Sequence, residues 1–392
     1  MKQPFRIHIQ QDVLDDLKLR LSKTRWTDEI ENDKWEMGTN ESYLKELCAY
    51  WQNDFDWHKQ EALLNSFTQY TSTVDDFTLH FIHEEGKGTT RIPLLITHGW
   101  PDSIVRFIKL IPLLTAADEN GVSFDVIAPS IPGFGFSEIP SEKGMNPKKI
   151  AGLFNELMTK ELGYEKYYAH GGDWGSSITE QIALYHSKSL LGIHLTDVPF
   201  SHGLKPLKDP SPAEEKFIKK TKQWVQTQGA YSSILSTKPQ SLAYGLNDSP
   251  AGLAGWIVEK FYNWSDNGGN LENAFTKDEL LTNLTIYWAT QTINSSIRIY
   301  YEAIQVIMQA MYNPLVKLNP FDKTDDKVKA PTSLAMFPKD ISGDAPREFA
   351  ERFFNVQQWT EMSKGGHFAA LEQPQLLADD IRTFVKTQSD LT

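Results

Sequence analysis

The segment His170-Gly171-Gly172-Asp173-Trp174-Gly175-Ser176 constrains the fold of this chain more than any other. Tyr167, Tyr168 and Ala169 read as the end of a strand, and Ile178, Glu180, Gln181, Ile182, Ala183 and Leu184 as the helix that follows. Strand, sharp turn and helix, with glycine at 171 and 175, fit the Gly-x-nucleophile-x-Gly elbow, whose cramped turn leaves no room for Cβ atoms beside the exposed central residue. That central residue is Asp173, where serine is the common choice. The alternative is an aspartate that closes an Asx turn or caps the following helix.

The swap carries chemical information. Serine needs a base to remove its proton, whereas a carboxylate with a reference pKa of about 3.9 is already ionised at neutral pH. Carboxylate attack on an acyl carbon would give an anhydride as reactive as the substrate. Attack on a saturated carbon bearing a leaving group gives a hydrolysable alkyl ester. The expectation is displacement at an sp3 carbon, from an epoxide or an alkyl halide.

Bulk properties narrow the partners. At 392 residues the chain has room for roughly two to three domains, or one large α/β domain with insertions. A net charge of −12 without a lysine or arginine block argues against nucleic acid or an anionic membrane surface. Cys48 is the only cysteine, so there is no disulfide framework or thiolate cluster, and His80 and His83 read as strand residues. No cofactor or metal is expected. Met1 to Asp12 lacks an apolar signal core, and no run approaches the ~18 apolar residues of a membrane span. These features predict a soluble, cytoplasmic protein, its oligomeric state open between monomer and homo-oligomer.

Four segments are expected. Residues 1–90 form an N-terminal helical extension leading into the first strands, with Ile9, Val13, Leu14, Leu17 and Leu21 at helical spacing and Trp26, Trp35, Trp51 and Trp57 as packing anchors. Residues 91–198 hold the first part of an α/β core: strands at Ile92 to Thr97, Phe124 to Ala128 and Gly192 to Thr196, and helices at Ile104 to Leu114 and Pro147 to Leu162. Residues 199–327 are helical in pattern and read as an inserted lid, with capping boxes at Ser211/Glu214 and Thr276/Glu279. Residues 328–392 resume the sheet, which is predicted to be mostly parallel.

Chain order then supplies a constellation. The strand at Thr332 to Phe337 runs into Asp340, and His367 sits in a glycine-bounded loop beyond the last strand signal. Nucleophile, acid and histidine in that order are Asp173, Asp340 and His367. In this architecture the loop His98-Gly99-Trp100-Pro101 supplies one oxyanion-hole amide, and the residue after the nucleophile the other, which makes the Trp100 and Trp174 N–H groups the candidates.

On these motifs the chain resembles an epoxide hydrolase of the microsomal-type branch of the α/β-hydrolase superfamily. The resemblance rests on His98 to Pro101, Pro132 to Ser137, His170 to Ser176, Leu246 to Leu253 and Gly365 to Ala369. It implies an α/β-hydrolase fold with an inserted helical lid, Asp173 as nucleophile, His367 as water-activating base and Asp340 as its carboxylate partner. Glu302 and Glu372 are further places to look for that partner. Two lid tyrosines are implied as acids, mapping to Tyr231 and to Tyr300, with Tyr301 adjacent. His98, Gly99, Trp100, Pro101 and Trp174 are the expected substrate contacts, the substrate being a small apolar epoxide with water. A soluble form without the animal enzymes' membrane anchor is expected, and Thr27, His58, Thr68 and Asp76 depart from the pattern in the leader, Asp76 standing where glycine is expected. A haloalkane dehalogenase, with the Trp100 and Trp174 indoles cradling a halide, and a non-catalytic binding protein are the competing readings.

Overall fold

A computed structural model describes residues 1–312 and 327–389. One nine-stranded sheet runs through it, from β1 (Gln3–Phe5), β2 (Gln69–Val74), β3 (Phe77–Glu84), β4 (Thr90–Thr97) and β5 (Val122–Pro129) to β6 (Tyr167–Gly171), β7 (Leu190–Leu195), β8 (Val328–Met336) and β9 (Phe354–Glu361), in the spatial order β1-β2-β3-β5-β4-β6-β7-β8-β9. From β5 to β9 every pairing is parallel, while β1, β2 and β3 join antiparallel at one edge. Leu94, Leu95, Ile96, Tyr167, Ala169, Ile193 and Leu195 are fully buried, as near-continuous apolar strands covered on both faces must be. This is the expected α/β-hydrolase sheet, and strands β4, β6, β7, β8 and β9 deliver the loops of the site.

Several local expectations change. The leader is not wholly helical, because β1 and β2 extend the sheet through the tight turn at Asp75 and Asp76, both with positive φ. Aspartate tolerates that left-handed region better than most residues, which lets the turn form without a glycine. The helix expected over Ile104 to Leu114 is a 3-10 turn (Ile104–Phe107) followed by a short helix (Leu110–Thr115), since both share the same apolar spacing. That expected over Pro147 to Leu162 ends in a π turn at Leu157–Glu161. Both capping boxes form, opening Pro212–Gln228 and Lys277–Thr290. The last stretch expected to be lid, residues 313–326, lies outside the described residues.

The leader's tryptophans divide. Trp51 is buried and donates its indole N–H to Thr285 Oγ1 at 3.0 Å, and Trp35 stacks on Tyr262 with centroids 4.2 Å apart. Tyr50 and Gln60 both donate to Asp278. The leader is thereby pinned to the helices above the sheet. Trp57 is buried within the leader, whereas Trp26 is 39 % exposed and anchors nothing of comparable depth. Among the described residues no helix is long and apolar enough to cross a membrane.

Candidate active site

Asp173 stands between β6 and the helix Trp174–Tyr185 at φ 58° and ψ −128°. A non-glycine residue there is strained, and the strain persists because the surroundings over-determine it. A Cβ on Gly171 would meet the Gly175 carbonyl oxygen at 2.1 Å, and one on Gly175 would meet the Thr97 carbonyl oxygen at 2.0 Å, so both glycines are required. The Asp173 side chain does not cap the helix. Its Oδ1 instead accepts the Trp100 N–H at 2.8 Å, which removes the cap reading.

Two loops bring the imidazole to this carboxylate. Lys339 bridges to Gly366 in parallel register, so the loop after β8 and the loop after β9 lie side by side. His367 Nδ1 lies 2.7 Å from Asp340 Oδ2, and its Nε2 lies 3.2 Å from Asp173 Oδ2. That second contact is off the line a hydrogen bond needs, and Nε2 has no hydrogen-bond partner among the described residues. Burial alone would depress the imidazole, but the charges of Asp340 and Asp173 outweigh it and push its pKa up to about 10. Asp340 is held below the usual carboxylate range: its burial acts the other way, but His367 and the Ser342 donors prevail.

Glu372 is not a ring partner. It accepts from the Asp266, Gly366 and Phe368 amides at 2.8, 3.0 and 2.9 Å, bracketing the histidine loop through its backbone. Glu302 accepts from the Gly144 amide, away from the imidazole.

Above the carboxylate, Tyr231 and Tyr300 are buried and in ring contact with each other and with Trp100, and Trp174 packs on Tyr300. Their rings are 5.9 Å apart, the Trp100 ring lies 5.9 Å from Tyr231 and 5.7 Å from Tyr300, and the Trp174 ring lies 4.9 Å from Tyr300. Burial raises both phenols most, followed by the Asp173 charge for Tyr231 and by Tyr231 and then Asp173 for Tyr300, so each remains a proton-bearing donor at neutral pH. Tyr301 lines a separate cleft with Pro140 and Arg298. The neighbour brought to the site is Tyr300.

The remaining expected contacts differ in what they can offer. A Cβ on Gly99 would fall 2.2 Å from Asp173 Oδ1, so only glycine fits there. His98 is fully buried, with Nδ1 2.9 Å from the Gly99 carbonyl oxygen and Nε2 accepting from Ile131 N–H, and so holds the loop together with no free ring nitrogen for a substrate. The Pro101 carbonyl accepts from lid Asn283. The Trp100 indole N–H is buried without a partner among the described residues, whereas the Trp174 ring meets Tyr300 edge to face.

Three supporting residues were not read from the sequence. Arg106 is buried, pairs with Asp102 and donates to the His367 carbonyl at 2.7 Å, tying the Trp100 loop to the histidine loop. Breaking such a buried pair typically costs about 3–5 kcal/mol. Asp197, at the end of β7, accepts the Asp173 amide at 3.0 Å and the Ser176 hydroxyl at 2.5 Å, and burial, then Asp340, raise its pKa to about 7. Lys260 lies against Tyr231. An aspartate just past a buried parallel strand is a readable signal; the two cations left none.

A carboxylate on the elbow of this sheet, faced by a histidine paired to a second carboxylate, places the chain among the α/β hydrolases whose nucleophile position is an aspartate. Residues 92–237 match the α/β-hydrolase fold family, and residues 2–107 match the epoxide hydrolase N-terminus family. The chain is 36 % identical over 411 residues to epoxide hydrolase 1 of Sus scrofa, with 97 % of this chain and 88 % of that protein covered. It superposes on juvenile hormone epoxide hydrolase of Bombyx mori with a TM-score of 0.87 at 28 % identity, over 100 % of this chain and 95 % of the other. The Aspergillus niger epoxide hydrolase gives 0.82 at 26 % identity, over 99 % and 96 %. The chain belongs to the microsomal-type epoxide hydrolases.

Proposed function

We propose that this enzyme opens a small apolar epoxide to a vicinal diol through an alkyl ester on Asp173. The observation that carries the reading is the division of the Asp173 carboxylate, with Oδ1 held by the Trp100 amide and Oδ2 facing His367 beneath the two phenols. Oδ2 attacks a ring carbon, the carbon–oxygen bond breaks with its electron pair on oxygen, and a proton from Tyr231 or Tyr300 neutralises the developing alkoxide. One phenolate remains.

Ester formation removes the charge of Asp173. One of the two charges that hold His367 protonated is then gone, its pKa falls, and the neutral imidazole can take a proton from water. Hydroxide adds at the ester carbon while the oxygen held by the Trp100 N–H, with the Trp174 N–H as second candidate donor, carries the negative charge. Collapse releases the diol and the Asp173 carboxylate, and the proton on His367 returns through solvent to the phenolate. Asp340 holds the imidazole in the required orientation.

The test is a single turnover with excess enzyme in 18O-labelled water. The first diol should carry an Asp173 oxygen, and the label should enter the protein. Label in the first-turnover diol would refute the covalent route.

A further inference from the structure

Lys260 belongs to the helix Pro250–Trp264 and is 5 % exposed, an unusual depth for an ammonium. Its Nζ stands over the Tyr231 ring, 4.7 Å from the centroid, and 5.3 Å from the Trp256 ring. Glu259, next in the chain, ion-pairs with it. Glu259 also bonds Asn263. The pair gives the helix a charged spot directed at one phenol.

We infer that Lys260 is a positioning residue for ring opening, its ammonium stabilising the Tyr231 phenolate left after proton transfer, with Glu259 opposing that effect. The inference rests on Tyr231 being a proton donor to the opened ring. A cation over a neutral phenol gains only the ring quadrupole, but over a phenolate it meets a full charge in a site of low dielectric. The interaction is therefore stronger after proton transfer than before it, which is the condition for accelerating a step. Burial first, then the Asp173 charge and more weakly the Glu259 charge, disfavour ionised Tyr231. Lys260 is the group on this helix with the opposite sign.

The two charges make opposite predictions, which a packing role would not. Alkylation and ester hydrolysis are measured separately in single turnovers on the full chain, using styrene oxide as the probe. Lys260→Met removes the ammonium and leaves Glu259 unopposed, so alkylation should slow on the order of tenfold or more. Lys260→Arg should recover most of the loss. Glu259→Gln frees the ammonium and should speed alkylation severalfold, with ester hydrolysis nearly constant throughout. In a Tyr231→Phe background Lys260→Met should add nothing, because the phenol through which it acts is gone.

Equal slowing by Lys260→Met with and without the Tyr231 hydroxyl would overturn the inference in favour of packing. So would slowing by Glu259→Gln, which stands as an independent test if Lys260→Met fails to fold. If Tyr231→Phe itself alkylates at the wild-type rate, the donor assignment beneath the inference fails instead, and the two failures are distinguishable.

Discussion

His367 Nε2 faces Asp173 Oδ2 at 3.2 Å without the alignment of a hydrogen bond. The contact is electrostatic, so it depends on the charge of Asp173 and weakens when that oxygen is esterified. In the resting enzyme Asp173 and Asp340 together hold the imidazolium up to about 10. In the proposed alkyl-enzyme only Asp340 of the two is left to hold the imidazolium, and the pKa must lie lower. Water activation needs the deprotonated ring, so ester hydrolysis should rise with pH and level off at an apparent pKa below 10. Alkylation should show no such rise, because that step does not use a deprotonated imidazole. Stopped-flow rates for both steps across pH check this, and a common limb would contradict it.

Asp340→Asn removes the second charge. The hydrolysis limb should move to still lower pH, while its plateau falls by roughly 10²- to 10⁴-fold because the ring is no longer oriented. A limb that moved upward would mean that another carboxylate raises His367.

Gly99 lies against Asp173 more closely than any larger residue could. An added Cβ would lie 2.2 Å from Asp173 Oδ1 and 2.4 Å from its Cβ, so the carboxylate or the Trp100 loop must move. A shift of about 1 Å at reacting atoms can cost on the order of a hundredfold. Gly99→Ala should therefore slow alkylation by about that factor with little change in thermal unfolding. Near-native rates would mean that the loop can yield.

The parts legible in the sequence were those with local signatures. Asp173 announced itself because Gly171 and Gly175 are forced by the turn, and His367 because it follows the last strand in a glycine-bounded loop. Tyr231 and Tyr300 have no such mark, since neither spacing nor composition separates them from packing tyrosines, and only the family resemblance pointed to them. Arg106 reaches the His367 carbonyl across 261 residues of chain, and a buried ion pair has no periodicity to betray it. β1 was missed because three residues carry no measurable alternation, and its pairing with β2 is a long-range choice of register. The leader's tryptophans were read as anchors, but their partners, Thr285 and Tyr262, are decided by how the lid helices pack.

The paired phenols separate the two chemistries that an elbow aspartate can perform. Epoxide opening puts negative charge on oxygen and finally needs a proton, whereas a departing halide needs neither proton nor hydroxyl. The Tyr231 and Tyr300 rings lie 5.9 Å apart and Trp174, one of the two indoles that a halide would use, packs its ring 4.9 Å from Tyr300, while the Trp100 indole N–H has no partner among the described residues. Each preorganised donor is typically worth about 2.7–4 kcal/mol. Tyr231→Phe and Tyr300→Phe should each slow alkylation by an epoxide on the order of a hundredfold, and the double mutant should be nearly inactive. Because the two phenol rings are in contact, the losses should not simply add. Ester hydrolysis, followed from pre-formed alkyl-enzyme, should change little. Residual alkylation by a bromoalkane, if the native enzyme supports any, should survive both substitutions. Wild-type epoxide opening by both single mutants, or bromide release faster than diol formation in the native enzyme, would assign the protons and the reaction elsewhere.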